Sequence, residues 1–205
     1  TTGIENTIIG GLAGDALTDS DKNVAVGYVA LSSDTQGSRS VAIGHSALGN
    51  QNFSSATDSN NVAVGFFAGE DMTVGIKNTI VGNQAGEKLT DADFNVAIGF
   101  DALSTDTLGS RSTAVGYQAL GTQNFTSATA TQNTAVGFQS GFDLTTGTNN
   151  TFLGGDSGAN ITTGSKNTII GHYHGNQHSL DIRTSSNHIV LSDGDGYPNL
   201  FITSS

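Results

Sequence analysis

The sequence predicts an all-β chain folded as a parallel β-solenoid, or β-roll, of about ten coils of 17–21 residues. Three observations carry this. A five-residue motif, (Asn/Ser)-x-(Ala/Ile/Phe)-(Val/Ile/Leu)-Gly, recurs with its glycine at Gly10, Gly27, Gly44, Gly65, Gly82, Gly99, Gly116, Gly137, Gly154 and Gly171, in steps of 17 or 21 residues. Its second, third and fourth positions hold Val, Thr, Ala, Ile, Leu and Phe, mostly β-branched types that favour strand, and no 3.6-residue periodicity competes. Finally, a chain that is 35% hydrophobic with 28 glycines in 205 residues is too poor for a compact core, yet sufficient for a narrow coil needing a few inward residues per turn.

Each motif reads as a short strand closed by a glycine, which supplies the positive φ or the close approach that a turn requires. Along a strand the side chains alternate in direction, and here both sets are apolar or small. One set lines the coil, and the other is expected to lie against a second copy of the chain. Three copies about an axis, a parallel homotrimer, is the natural closed arrangement. Three residues past nine of the ten glycines stands a small residue, Ala13, Ala30, Ala47, Ala68, Ala85, Ala102, Ala119, Ser140 or Ser157, expected where coil walls come close; His174 stands there after Gly171. The residue preceding the motif is basic at Lys22, Arg39, Lys77, Arg111 and Lys166, a column expected to pair with acidic residues of adjacent coils or chains.

A longer repeat is superimposed. Residues 23–76 resemble 95–148, a duplication of a 72-residue unit, and GSRSVAIGHSALGNQNFSSAT (37–57) parallels GSRSTAVGYQALGTQNFTSAT (109–129). Both 21-residue coils within this duplication carry the same four-residue expansion, and insertions in solenoids emerge as loops, often on a binding face. An aromatic ring beside amides suits sugar contact, so Gln51, Asn52, Phe53, Gln123, Asn124 and Phe125 are the candidate receptor-binding residues; the competing reading has Phe53 and Phe125 tucking each loop onto its coil.

The motifs NVAVGYVAL, SVAIGHSAL, NVAVGFFAG, STAVGYQAL and NTAVGFQSG resemble the head repeats of trimeric autotransporter adhesins, and the TGxxNT connectors at 146–151 and 163–168 look closer to bacteriophage tail fibres. The resemblance covers residues 6–171. It implies a trimeric left-handed parallel β-roll at the surface of a virion or, alternatively, of a bacterium, attached to a host-cell glycan or protein. The stretch NHIVLSDGDGYPNLFITSS (187–205) is similar to the segment preceding the self-cleaving chaperone of phage fibres, which implies a processed product. The first residues, Thr-Thr-Gly-Ile, are read as the start of a trimmed fragment. The expected organisation is a repeat region, 1–171, and an irregular cap or tip, 172–205.

Three of five histidines crowd into GHYHGNQH, and a His-x-His pair on a strand sends both imidazoles to one face. His172 and His174 are therefore candidate ligands for iron, nickel or zinc on a trimer axis, an arrangement that also resembles certain phage fibre tips. Stacked or exposed histidines are the alternative. Asp193-Gly194-Asp195-Gly196 lacks the spaced carboxylates of a calcium loop and reads as the turn of a terminal hairpin, Ile189–Ser192 against Asn199–Ile202. No nucleophile elbow or other catalytic pattern is present, so enzymatic activity is not expected. The formal charge of −11 disfavours nucleic acid and anionic membranes, and no apolar run approaches the ~20 residues that span a bilayer. An ice-binding solenoid and a polysaccharide depolymerase are the remaining alternatives; the former lacks a repeated Thr-x-Thr column.

Overall fold

The computed structural model describes residues 3–203, among which there is no helix. In chain order the strands are β1 (Thr7–Ile9), β2 (Val24–Val26), β3 (Gly37–Ser38), β4 (Val41–Ile43), β5 (Thr57–Asp58), β6 (Val62–Val64), β7 (Thr79–Val81) and β8 (Val96–Ile98). They continue as β9 (Gly109–Ser110), β10 (Thr113–Val115), β11 (Thr129–Ala130), β12 (Thr134–Val136), β13 (Thr151–Leu153), β14 (Thr168–Ile170), β15 (His188–Ser192) and β16 (Pro198–Thr203). The motif strands stack in one sheet, β1-β2-β4-β6-β7-β8-β10-β12-β13-β14-β15, each parallel to the last, and β16 closes it antiparallel to β15. At the usual spacing of about 4.8 Å between strands, eleven coils make a rod roughly 50 Å long.

Register is strict. Thr7 pairs with Val24, Val24 with Val41 and Val41 with Val62, so motif stands on motif even across a 21-residue step. The repeat glycine enforces this contact. From Gly10 to Gly137 each has φ between +132° and +144°, and a Cβ on any of them would lie under 3.0 Å from the carbonyl oxygen of the glycine in the next coil. Both reasons for glycine, backbone conformation and close approach, therefore apply together.

A second column locks the coils at the start of each motif. Asn23, Asn61, Asn78, Asn95, Asn133, Asn150 and Asn167 are fully buried. Asn78 Oδ1 accepts the backbone N–H of Asn95 at 2.8 Å, while its Nδ2 donates to the Ala92 carbonyl at 2.7 Å. The same two-pronged grip, on the backbone one coil ahead, is made by Asn23, Asn95, Asn133, Asn150 and Asn167. These bonds satisfy corner groups that no β-ladder reaches.

The core is filled in two ways. After the small residue the chain reads either Gly-x-x followed by a large apolar residue, or Leu-x-x followed by a polar one. Thus Gly69, Gly86 and Gly141 precede Met72, Leu89 and Leu144, whereas Leu31, Leu48, Leu103 and Leu120 precede Asp34, Gln51, Asp106 and Gln123. All of these glycines and leucines have φ between +49° and +63°. In the first type the side chain arriving three residues later takes the space, since a Cβ on Gly86 would meet Leu89 Cδ1 at 2.9 Å. In the second, Leu must fill the core itself from a left-handed backbone. That strain costs about 1–2 kcal/mol, and burying Leu contributes about 1.5–3 kcal/mol, so filling wins.

The structure extends the repeat beyond the expected ten coils. Ser192 stands over Gly171, and His188 takes the place of the motif Asn, with its N–H bound to Asn167 Oδ1 at 3.0 Å. The eleventh coil escapes the motif pattern because it ends in Ser and begins with His, and because 21 residues separate it from the tenth. Parallel stacking thus continues past residue 171 to β15, with β16 folded back on it. The hairpin itself forms as expected, with Ile189 opposite Ile202 and Leu191 opposite Leu200.

Replacing Leu103 by Gly tests the exchange between strain and filling. Emptying the site costs about 2–5 kcal/mol and relief of the left-handed backbone returns about 1–2. Urea unfolding followed by circular dichroism is expected to show a net loss of about 1–3 kcal/mol.

Candidate functional site

The expanded coils place their residues differently from the receptor-contact expectation. Gln51 and Gln123 are fully buried, and Phe53 and Phe125 are 6% and 8% exposed; Asn52 reaches solvent and Asn124 is half-buried. The reason lies in the motif. Where Ser40 and Ser112 replace Asn, the two-pronged grip is lost, and the glutamine enters from the side to replace it. Gln51 Nε2 donates to Asp34 Oδ2 at 2.6 Å and to Ser40 Oγ at 3.1 Å, and Gln51 Oε1 accepts from Asn61 Nδ2 at 2.8 Å. Asp34, itself buried, also accepts the N–H groups of Gly37 and Phe53 through Oδ1. Gln123, Asp106, Asn133, Gly109 and Phe125 repeat the set. Phe53 lies on Gly37, where a Cβ would meet its ring at 2.8 Å. The tucking alternative therefore describes both rings, and the loops present Ser54, Ser55 and Ala56, and Thr126, Ser127 and Ala128, to solvent.

The basic column forms, but its pairing differs from expectation. Lys22, Arg39, Lys77, Arg111 and Lys166 all have φ between +58° and +66°. Among the described residues only Arg39 of the five makes an ion pair, with Asp58 at 3.1 Å, while Lys77 sits 5.2 Å from the Phe94 ring centroid. In the second copy of the duplication the counterpart of Asp58 is Ala130, leaving the Arg111 guanidinium without that carboxylate. A cleft of about 220 Å³ opens there, lined by Asp93, Phe94, Ser110, Arg111 and the loop residues Ala128, Thr129 and Ala130.

Outside the sheet runs an apolar face. The middle residue of most strands is buried, as at Ala25, Ala63 and Ala114, while Ile9, Ile43, Ile98, Leu153 and Ile170 point outward and are exposed. Beside them, the residue after the glycine places rings in two runs separated by Asn83, all exposed except half-buried His45. His45 lies 5.4 Å from Tyr28 and 5.1 Å from Phe66, and Tyr117 stacks between Phe100 at 5.6 Å and Phe138 at 5.1 Å.

Histidines end this ladder. His172 follows Gly171, and the chain then loses its 17-residue phase: Gly158 N–H donates to the Tyr173 carbonyl where Gly141 N–H donates to that of Ser157. Tyr173 thus occupies the small-residue column, fully buried, with its hydroxyl donating to the Leu180 carbonyl at 2.6 Å. The sequence spacing assigns that place to His174; the phase change turns His174 out beside His172 instead, with ring centroids 4.7 Å apart. Asp156, from the preceding coil, brings Oδ2 to 3.3 Å from His172 Nε2. Desolvation, then the neighbouring His172, lowers the His174 pKa, so His174 favours the neutral form. Asp156 was missed in the sequence because its partner lies 16 residues away, and a constant 17-residue stride places it beside Tyr173. His178 stands apart, stacked on Tyr197 at 3.5 Å.

The Asp193–Gly196 turn has a structural explanation. Asp193 Oδ1 accepts the N–H groups of Tyr197 and Asp195, both at 3.0 Å, and the first of these bonds chiefly holds its carboxyl below the usual range. No protein-family model, curated protein or solved structure matches this chain. No helix among the described residues is long and apolar enough to cross a membrane.

The buried amide network predicts a stability effect at Gln51 and none at its neighbour. Gln51→Leu is expected to cost about 1–3 kcal/mol by stranding the Asp34 carboxylate and the Asn61 amide, whereas Asn52→Ala stays within about 0.5 kcal/mol. Thermal melts of the two variants check this.

Proposed function

We propose that this chain is a rigid segment of a parallel homotrimeric attachment fibre, of the bacteriophage tail-fibre kind, that binds a glycan or protein on a host cell surface. The observation that carries this is the outward apolar face. Exposed Ile43, Ile98, Leu153 and Ile170, with Tyr28, Phe66, Phe100, Tyr117 and Phe138 alongside, form one stripe along the rod. Stripes of that extent mark interaction surfaces. A stripe parallel to the rod axis suits copies in register, and threefold closure buries it on every chain. The motif resemblance to fibre and adhesin repeats points the same way.

Receptor contact is assigned to the second expanded loop and the cleft beneath it. Arg111, Phe94, Ser110 and Thr129 combine a cation with no ion pair among the described residues, an aromatic ring and hydroxyls. That combination suits an acidic sugar, although Asp93 in the same cleft opposes anions. Binding at each chain is weak, and three copies on one rod supply avidity.

Light scattering on the purified chain is expected to give three times 20.9 kDa. Placing Asp at both Phe100 and Tyr117 is expected to reduce the mass to that of one chain, while Arg111→Ala keeps the trimer and lowers retention on sialylated or uronate glycans about tenfold. A single-chain mass for the unaltered protein rules out the trimer.

A further inference from the structure

We infer that Asp156, His172 and His174 form a divalent transition-metal site built within a single chain, clamping the tenth coil to the ninth. This site differs from an axial His-x-His site, because a carboxylate of the same chain completes it and no symmetry axis is needed. It stands independently of the fibre reading.

Four features support it. One donor atom from each of the three side chains lies within 4.8 Å of the other two, and all three residues are half-buried. Around an ion bonded at about 2.0–2.2 Å, neighbouring donors stand roughly 3–3.5 Å apart. The 3.3 Å separation of His172 Nε2 from Asp156 Oδ2 already meets that, and a His174 ring nitrogen lies within 4.8 Å of a donor on each of the other two. His174 Nε2 is buried without a hydrogen-bond partner. Buried polar atoms left unpaired are uncommon because each costs free energy, and a metal uses the lone pair that a neutral imidazole offers. Finally, the backbone holds the donors in place. His174 N–H donates to Gln177 Oε1 at 2.7 Å, and the buried Tyr173 between the two histidines anchors their backbone.

Two imidazoles and one carboxylate select borderline ions such as Zn²⁺, Ni²⁺ or Fe²⁺ over Mg²⁺ and Ca²⁺, which prefer all-oxygen ligand sets. The site lies where the coil changes phase, so the ion joins the turn after β13 to the turn after β14. Its role is that of a staple between the ninth and tenth coils, and binding to the folded form alone raises stability.

The test is titration of the metal-free chain with Zn²⁺ by calorimetry, with metal analysis of the dialysed sample and a thermal melt with and without Zn²⁺. One ion per chain and a rise in melting temperature are expected. Asp156→Asn and His174→Gln should each weaken binding at least about tenfold, with circular dichroism unchanged; His178→Ala should leave it as it was. The Asn variant is nearly isosteric, and His172→Gln provides a further ligand variant should either fail to fold. No bound zinc, or binding unchanged in Asp156→Asn, overturns the inference. One ion per three chains overturns it in favour of an axial site.

Discussion

Everything in this rod depends on each coil placing its backbone directly over the last. The parallel ladder, the glycine contacts and the asparagine grip all require the same register, and each fails with a one-residue slip. The glycine column makes the demand steric, because a Cβ there collides with a carbonyl of the next coil. The asparagine column makes it polar, because Oδ1 and Nδ2 reach one N–H and one carbonyl in the following coil. Neither is strong alone. A net contribution near 1 kcal/mol per hydrogen bond, repeated up the stack, gives the nearest-neighbour cooperativity expected of a solenoid.

Departures from the period are possible only where something replaces a lost contact. At Ser40 and Ser112 the grip is absent, and four additional residues deliver Gln51 and Gln123 to the vacated space. The preceding coil must then provide Asp34 or Asp106, which removes the apolar residue that otherwise fills the core, and Leu appears in its place despite a left-handed backbone. Serine, glutamine, aspartate and leucine thus change together. At the C-terminal end the same logic uses Tyr173, whose ring fills the small-residue column as the phase shifts. The displaced histidine joins His172 and Asp156 as a direct consequence of that shift.

The sites were partly legible in the sequence. A crowd of histidines was visible, but Asp156 joins them only through a coil one residue out of phase with the others. Gln51 and Phe53 looked like ligand contacts because amides beside an aromatic ring suit both a sugar and a buried hydrogen-bond network, and composition does not distinguish inside from outside. The Arg111 cleft arises from a single difference between duplicated halves, Asp58 against Ala130. Its meaning rests on the 3.1 Å bond that Arg39 makes in the other half.

By itself the sequence determined the solenoid, its strands and their order, because a period written in β-branched residues and glycine admits one way of stacking. It also marked the duplication, the expanded coils and the closing hairpin. Only the tertiary structure decided which polar residues are interior, where the final coil lies and which side chains meet across coils. Those outcomes depend on contacts 10 to 21 residues apart, where a shift of one residue changes the neighbour. Local residue types set the repeating unit; the packing of one coil on the next set everything that breaks it.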